Sequence, residues 1–272
     1  MKGLFGGLFA LLGTGRGRAQ GTAGAGGAEP GFDPEQLKAM IAYPVEVVDG
    51  AKALARWEQL RAQGKGYPVV VGDADAMSFF AEAASFDDRE DPQAILARAS
   101  GLAWPQAMYD ARRREREAFA AEYAPGDIEE EVEADVGEWP ATVADGPELT
   151  TSEDILTGKP YRPCFIVIFP ARHGWEVPAY ANWGGWNANP EPALHVAALK
   201  SWHERYGAEL VGMSGDVMNL RIAGRPATRE EALRLAREHY AYCADIVDQG
   251  VGTLSALAAT YLKSRWWFFW WD

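Results

Sequence analysis

The residues of this chain best placed to do chemistry are His173 and Glu176, which follow an apolar run and precede a loop rich in tryptophan and asparagine. A histidine beside a carboxylate can take or give a proton, because the carboxylate orients the ring and stabilises its charged form. The loop, Val177 to Pro190, reads Val-Pro-Ala-Tyr-Ala-Asn-Trp-Gly-Gly-Trp-Asn-Ala-Asn-Pro and carries no charge. Its Tyr180, Trp183 and Trp186 suit stacking. Asn182, Asn187 and Asn189 supply neutral hydrogen bonds. Sugars, peptides and partner loops are held by such combinations. A structural corner explains the same residues: the indoles fill the core beneath, Gly184 and Gly185 take positive φ, and the asparagines cap.

Other candidate groups carry less. Ser214, in Met-Ser-Gly-Asp, lacks the G-x-S-x-G elbow of a nucleophilic serine. Cys164 lies inside an apolar run, where a thiol is inert. His195 and His203 stand eight residues apart on one expected helix, two turns from each other and too far to share a metal. The 2 cysteines and 4 histidines make no CxxC or HExxH pattern, so neither a metal nor a cofactor is expected. Gly184-Gly185 precedes no Lys-Ser or Lys-Thr, which rules out a phosphate loop. Asp73 and Asp75, in Gly-Asp-Ala-Asp after a strand-like run, form an acidic pair where open sheets hold ligands. Aspartate and glycine also make ordinary turns and helix caps, and that is the preferred reading here.

The elements that must position these groups follow from periodicity. After an N-terminal segment, 1–31, the folded chain starts near Phe32, with Asp33 as a helix cap. Val45 to Val48 and Tyr67 to Asp73 read as strands; Ala51 to Gln63, Met77 to Ala84, the stretch opened by Asp91-Pro92, and Pro105 to Tyr123 read as helices. This makes a small α/β region over 32–125. Residues 126–158 are acidic and aperiodic and read as a linker. A domain over 159–272 follows. Pro163 to Phe169 is a continuous apolar run, hence a central strand. Asn189 would cap a helix running to Gly207. Ala208 to Met213 and Val217 to Ile222 would pair through a tight hairpin. Thr228-Arg-Glu-Glu opens a helix expected to close near Gly250, and Leu254 to Leu262 repeats the amphipathic pattern. The chain ends Trp-Trp-Phe-Phe-Trp-Trp-Asp, an aggregation hazard unless buried as a strand.

Composition narrows the partners. A net charge of -13 argues against nucleic acid or an anionic membrane as main partner, since both need a basic face. The apolar run Leu4 to Leu12 is too short to span a membrane. Its spacing also fits an amphipathic helix, so membrane contact through residues 1–12 stays open, though not favoured. The expected location is the cytoplasm, with export or membrane association through that run as the alternative. A disulfide between Cys164 and Cys243 is open; two free thiols are preferred at this size.

Pro178-Ala-Tyr, Gly184-Gly-Trp-Asn, Pro190, Gly-Ala-Glu-Leu-Val-Gly-Met at 207–213, the helix from Thr228 and the terminal aromatic run together resemble a bacterial family, the domain of unknown function 4253. The resemblance covers roughly 161–272 and implies a fold unit, not a reaction. The expected fold is α+β: a C-terminal mixed or antiparallel sheet of about four strands flanked by helices, after the smaller N-terminal α/β region. The expected function is an acidic protein-interaction module, neutralising or scaffolding another protein; enzyme activity stays open and is not favoured. The alternative is a small-molecule-binding protein or hydrolase that uses the 173–189 region.

Overall fold

The computed structural model describes residues 34–84, 89–122, 134–143 and 146–272. The segment 1–31 with its membrane contact, the Asp33 cap and part of the acidic stretch lie outside the described residues. The strands are β1 (Val45–Val48), β2 (Tyr67–Gly72), β3 (Glu153–Asp154), β4 (Lys159–Pro160), β5 (Cys164–Phe169), β6 (Glu209–Met213), β7 (Val217–Arg221) and β8 (Trp266–Trp270). The helices are α1 (Pro34–Met40), α2 (Ala53–Gln63), α3 (Ala74–Ala84), α4 (Pro92–Ser100), α5 (Gln106–Glu122), α6 (Val177–Ala181), α7 (Pro192–Tyr206), α8 (Arg229–Tyr242) and α9 (Leu254–Tyr261). Among the described residues no helix is long and apolar enough to cross a membrane.

The fold is α+β around one mixed sheet ordered β1-β5-β2-β6-β7-β8, with β3 and β4 forming a separate small ribbon. All neighbours are antiparallel except β2 and β6, which run parallel with Val70 opposite Gly212. The four strands expected after residue 159 are β5 to β8, but they do not form a sheet alone. β2 is inserted between β5 and β6, and β1 flanks β5. The sheet therefore draws strands from both sides of the acidic stretch. Every residue of β2 is buried, as its unbroken apolar run requires.

β8 is an edge strand paired only with β7, from Val217 opposite Trp270 to Arg221 opposite Trp266. It is nevertheless buried on both faces apart from Phe268. Trp202 of α7 stacks on Phe269 and meets Trp267 edge-on, and His239 of α8 packs against the same two rings. Helices cover that face of the aromatic strand, which takes its rings out of water.

Two local expectations are corrected. The residue before α7 is Glu191, without a side-chain cap, because the Asn189 side chain is committed to the buried His195 ring. α8 stops at Tyr242 rather than near Gly250, and a π-helical turn, Ile246–Val251, separates it from α9. Both cysteines are free and buried. Part of the expected linker packs on the fold. Leu149, Thr150 and Thr151 are buried, and the Asp135 and Val136 carbonyls accept the Leu254 and Ser255 N–H groups at the start of α9.

Candidate functional site: an acidic cleft at the strand ends

Because β2 and β6 are parallel, their carboxyl ends fall side by side at Gly72 and Met213. The segments leaving those ends wall a cleft of about 680 Å³, a size that suits a small organic group. One wall is the turn after β2 and the first turns of α3, with Asp73, Asp75 and Phe79. The stretch Thr150 to Leu156 faces it. Trp186 and Asn187, the Ser214-Gly215-Asp216 hairpin and the end of β8 complete the rim.

Each wall is held from below. Asp73 accepts the Ala76 N–H at 3.0 Å, so it caps α3 while lining the cleft. The Thr150 hydroxyl and Thr151 N–H donate to Oδ1 of Asn219 on β7, which anchors the 150–152 turn on the sheet. Gly212 makes room for that turn: a Cβ there would come within 2.2 Å of the Thr151 hydroxyl. Trp183 Nε1 donates to the Ser214 carbonyl at 2.7 Å and ties the tryptophan loop to the hairpin.

The loop is a rigid corner. Asn182, Gly184, Gly185 and Asn187 all have positive φ, a backbone that asparagine and glycine accept most readily. The Gly185 N–H donates to the Asn189 and Pro190 carbonyls, and the Asn189 N–H to the Trp186 carbonyl. Arg112 of α5 donates to the Ala188, Ala241 and Tyr242 carbonyls and clamps the loop to the end of α8. Beneath it the His195 ring is fully buried, with Nε2 donating to Asn189 Oδ1 and Nδ1 accepting from the Tyr242 hydroxyl. Burial pulls its pKa down to about 3, so the ring is neutral.

The cleft lining includes Asp73, Asp75, Glu153, Asp154, Asp216 and Asp272, and among the described residues it contains no lysine, arginine or histidine. Partial burial, together with the charge of Glu148, raises the Glu153 pKa. The Thr157 and Leu156 N–H groups and the nearby Lys159 hold Asp154 below the usual carboxylate range. Phe79 meets Trp186 edge-on at 5.7 Å, Trp186 meets Trp183 at 5.6 Å, and Trp183 meets Trp271 at 5.4 Å, so the exposed aromatic rim continues into the core.

The sequence-nominated residues divide into four groups. Trp186 and Asn187 line the cleft. Trp183 lies beneath it, 2% exposed. Tyr180 and Asn182 instead hold the segment before α4: the Asn182 amide exchanges two hydrogen bonds with the Glu90 backbone, and the Tyr180 carbonyl accepts from Arg89 and Tyr43. His173 and Glu176 sit elsewhere, in a turn whose Gly174 abuts Tyr67 and Leu210 near the starts of β2 and β6. There the Glu176 carboxylate accepts the Arg172 and His173 backbone N–H groups, and the His173 ring stacks on Trp175 at 3.9 Å. Burial lowers the His173 pKa. His203 bonds the Ala208 carbonyl.

Glu153, Asp154, Thr150 and Thr151 were not legible as site residues, since they fall in an aperiodic acidic stretch. The one usable signal was Gly72-Asp73-Ala74-Asp75 at a strand end, whose turn-forming role is real and coexists with its place in the cleft wall.

No curated protein and no solved structure matches the chain. The turn after β2 and the 150–156 wall lie before the part of the sequence that has a counterpart among known families. That part is residues 165–272, from β5 through β8, which match the family model described as Domain of unknown function (DUF4253).

Proposed function

We propose that this chain is a binding module that captures its ligand in the cleft at the carboxyl ends of β2 and β6. The observation that carries this reading is the convergence of aromatic and carboxylate side chains from separate segments of the chain on one cavity of about 680 Å³. The reading takes up the alternative expectation, small-molecule binding, and moves it from the 173–189 loop as a whole to a site that uses only Trp186 and Asn187 of that loop. Hydrolysis through a thiol or a buried imidazole is disfavoured because those groups are shut in the interior. Burial raises the Cys164 pKa to about 12 and raises that of Cys243, and His195 and His239 are buried.

A thermal-shift screen of the full chain against a library of cationic, neutral and anionic small molecules tests this. Stabilising compounds whose effect disappears in Trp186→Ala and in Gly215→Trp support the cleft as the site. Hits that stabilise these variants as well as the parent would place binding elsewhere and end the proposal.

A further inference from the structure

We infer that the ligand of this cleft presents an organic cation, an alkylguanidinium or alkylammonium group on an apolar stem. This rests on the cleft being the binding site and adds the chemistry of what enters it.

Charge and ring content point the same way. Asp73, Asp75 and Glu153 stand in a lining that has no cationic side chain among the described residues, beside Phe79 and Trp186. Carboxylates lining one cleft with aromatic walls favour a cation, which gains both Coulomb attraction and the negative face of a ring. The Thr151 hydroxyl, in a lining residue only 4% exposed, has no hydrogen-bond partner among the described residues. A hydroxyl oxygen accepts from an N–H donor such as guanidinium or ammonium.

The opposite end of the sheet shows the same chemistry satisfied from within the chain. There the Arg61 guanidinium lies 4.1 Å from the centre of the Tyr67 ring and pairs with Glu209 at 3.3 Å. Arg221 lies over Trp57 at 4.9 Å and pairs with Glu58 at 2.6 Å. At the cleft end, carboxylates and rings recur without an arginine or lysine among the described lining residues. A cation from outside would complete the same arrangement.

An organic cation fits better than a compact metal ion. Among the described residues no group of three histidine, cysteine, aspartate or glutamate side chains is arranged to hold a metal. The carboxylates are spread over several walls and suit a ligand with length. The net charge of -13 adds a long-range field that draws cations toward the molecule.

The test is calorimetric titration of the full chain with agmatine, which carries guanidinium and ammonium groups on a butyl stem. Its comparators are N-butylurea, which keeps the shape without the charge, and valerate, which reverses the charge. Agmatine is expected to bind one to one, to weaken as salt rises, and to lose about tenfold in affinity in Trp186→Ala and in Glu153→Gln. Circular dichroism melting of the variants confirms that they fold. A capped arginine tripeptide run alongside separates the sources. Tighter binding of agmatine indicates a free amine, and tighter binding of the peptide a basic segment of a partner protein.

Two results would overturn the inference and leave the cleft reading standing. One is N-butylurea or valerate binding as tightly as agmatine, with the same loss in Trp186→Ala. The other is no heat with any cation at millimolar concentration while a neutral or anionic compound binds in a Trp186-dependent way. Agmatine binding that neither variant alters would remove the cleft itself as the site.

Discussion

His195 Nε2 lies 2.8 Å from Asn189 Oδ1, with both side chains buried under the Gly184 turn. This contact joins the loop that carries Trp186 to the helix behind it, and it has a consequence for stability against pH. The buried ring stays neutral down to about pH 3, whereas an unfolded histidine takes a proton near pH 6.5. Between those values the unfolded state binds the extra proton, so stability falls as pH falls. His239, also fully buried with a lowered pKa, acts in the same direction. Urea unfolding at pH 7 and pH 5 is expected to show a loss of about 2 kcal/mol from His195 alone. Equal unfolding free energies at the two values would contradict the buried neutral ring.

Gly184 and Gly185 are adjacent, both at positive φ, and should respond differently to alanine. A Cβ on Gly184 would come within 2.1 Å of the Pro190 carbonyl oxygen and 2.6 Å of His195 Nε2, whereas one on Gly185 meets nothing within 4 Å. Gly184→Ala is expected to cost at least about 2 kcal/mol, roughly 4–8 °C in melting temperature. Gly185→Ala carries only the backbone strain, about 1 kcal/mol. Differential scanning fluorimetry of the pair checks the order, and equal losses would show that the turn relaxes around both.

Trp183 and Trp186 separate core from rim. Trp183 is 2% exposed and donates to Ser214, so Trp183→Ala should cost about 3–5 kcal/mol. Trp186 is half-buried on the cleft rim, and its replacement by alanine should cost about 1 kcal/mol while weakening ligand binding. Chemical denaturation of the two single variants measures this. A larger loss for Trp186→Ala would make the rim indole a core residue.

Removing residues 266–272 takes away β8, uncovers β7 and strips Phe269 and Trp267 from Trp202. The shortened chain is expected to be insoluble on expression, because a central strand becomes a bare edge beside exposed aromatic surface. A soluble product with a cooperative melt would disprove this.

Much of the local structure was legible because it depends on near neighbours in the chain. The apolar run at 164–169, the Ser214-Gly215-Asp216 turn, the positive-φ Gly207 that ends α7, the Thr228 cap and the amphipathic repeat at 254–261 each follow from period, turn chemistry or capping within a few residues. The terminal aromatic run had to be buried whatever covered it. What tertiary structure alone decided is where distant segments meet. The parallel pairing of β2 with β6 joins residues some 140 positions apart, and no local pattern encodes it. That pairing sets Asp73 beside Ser214 and allows Glu153 and Trp186 to face one cleft. Asn189 shows the same competition within a single residue. By type and position it suits a helix cap, but a buried imidazole without a partner costs more than an uncapped helix end, so the side chain turns inward to His195.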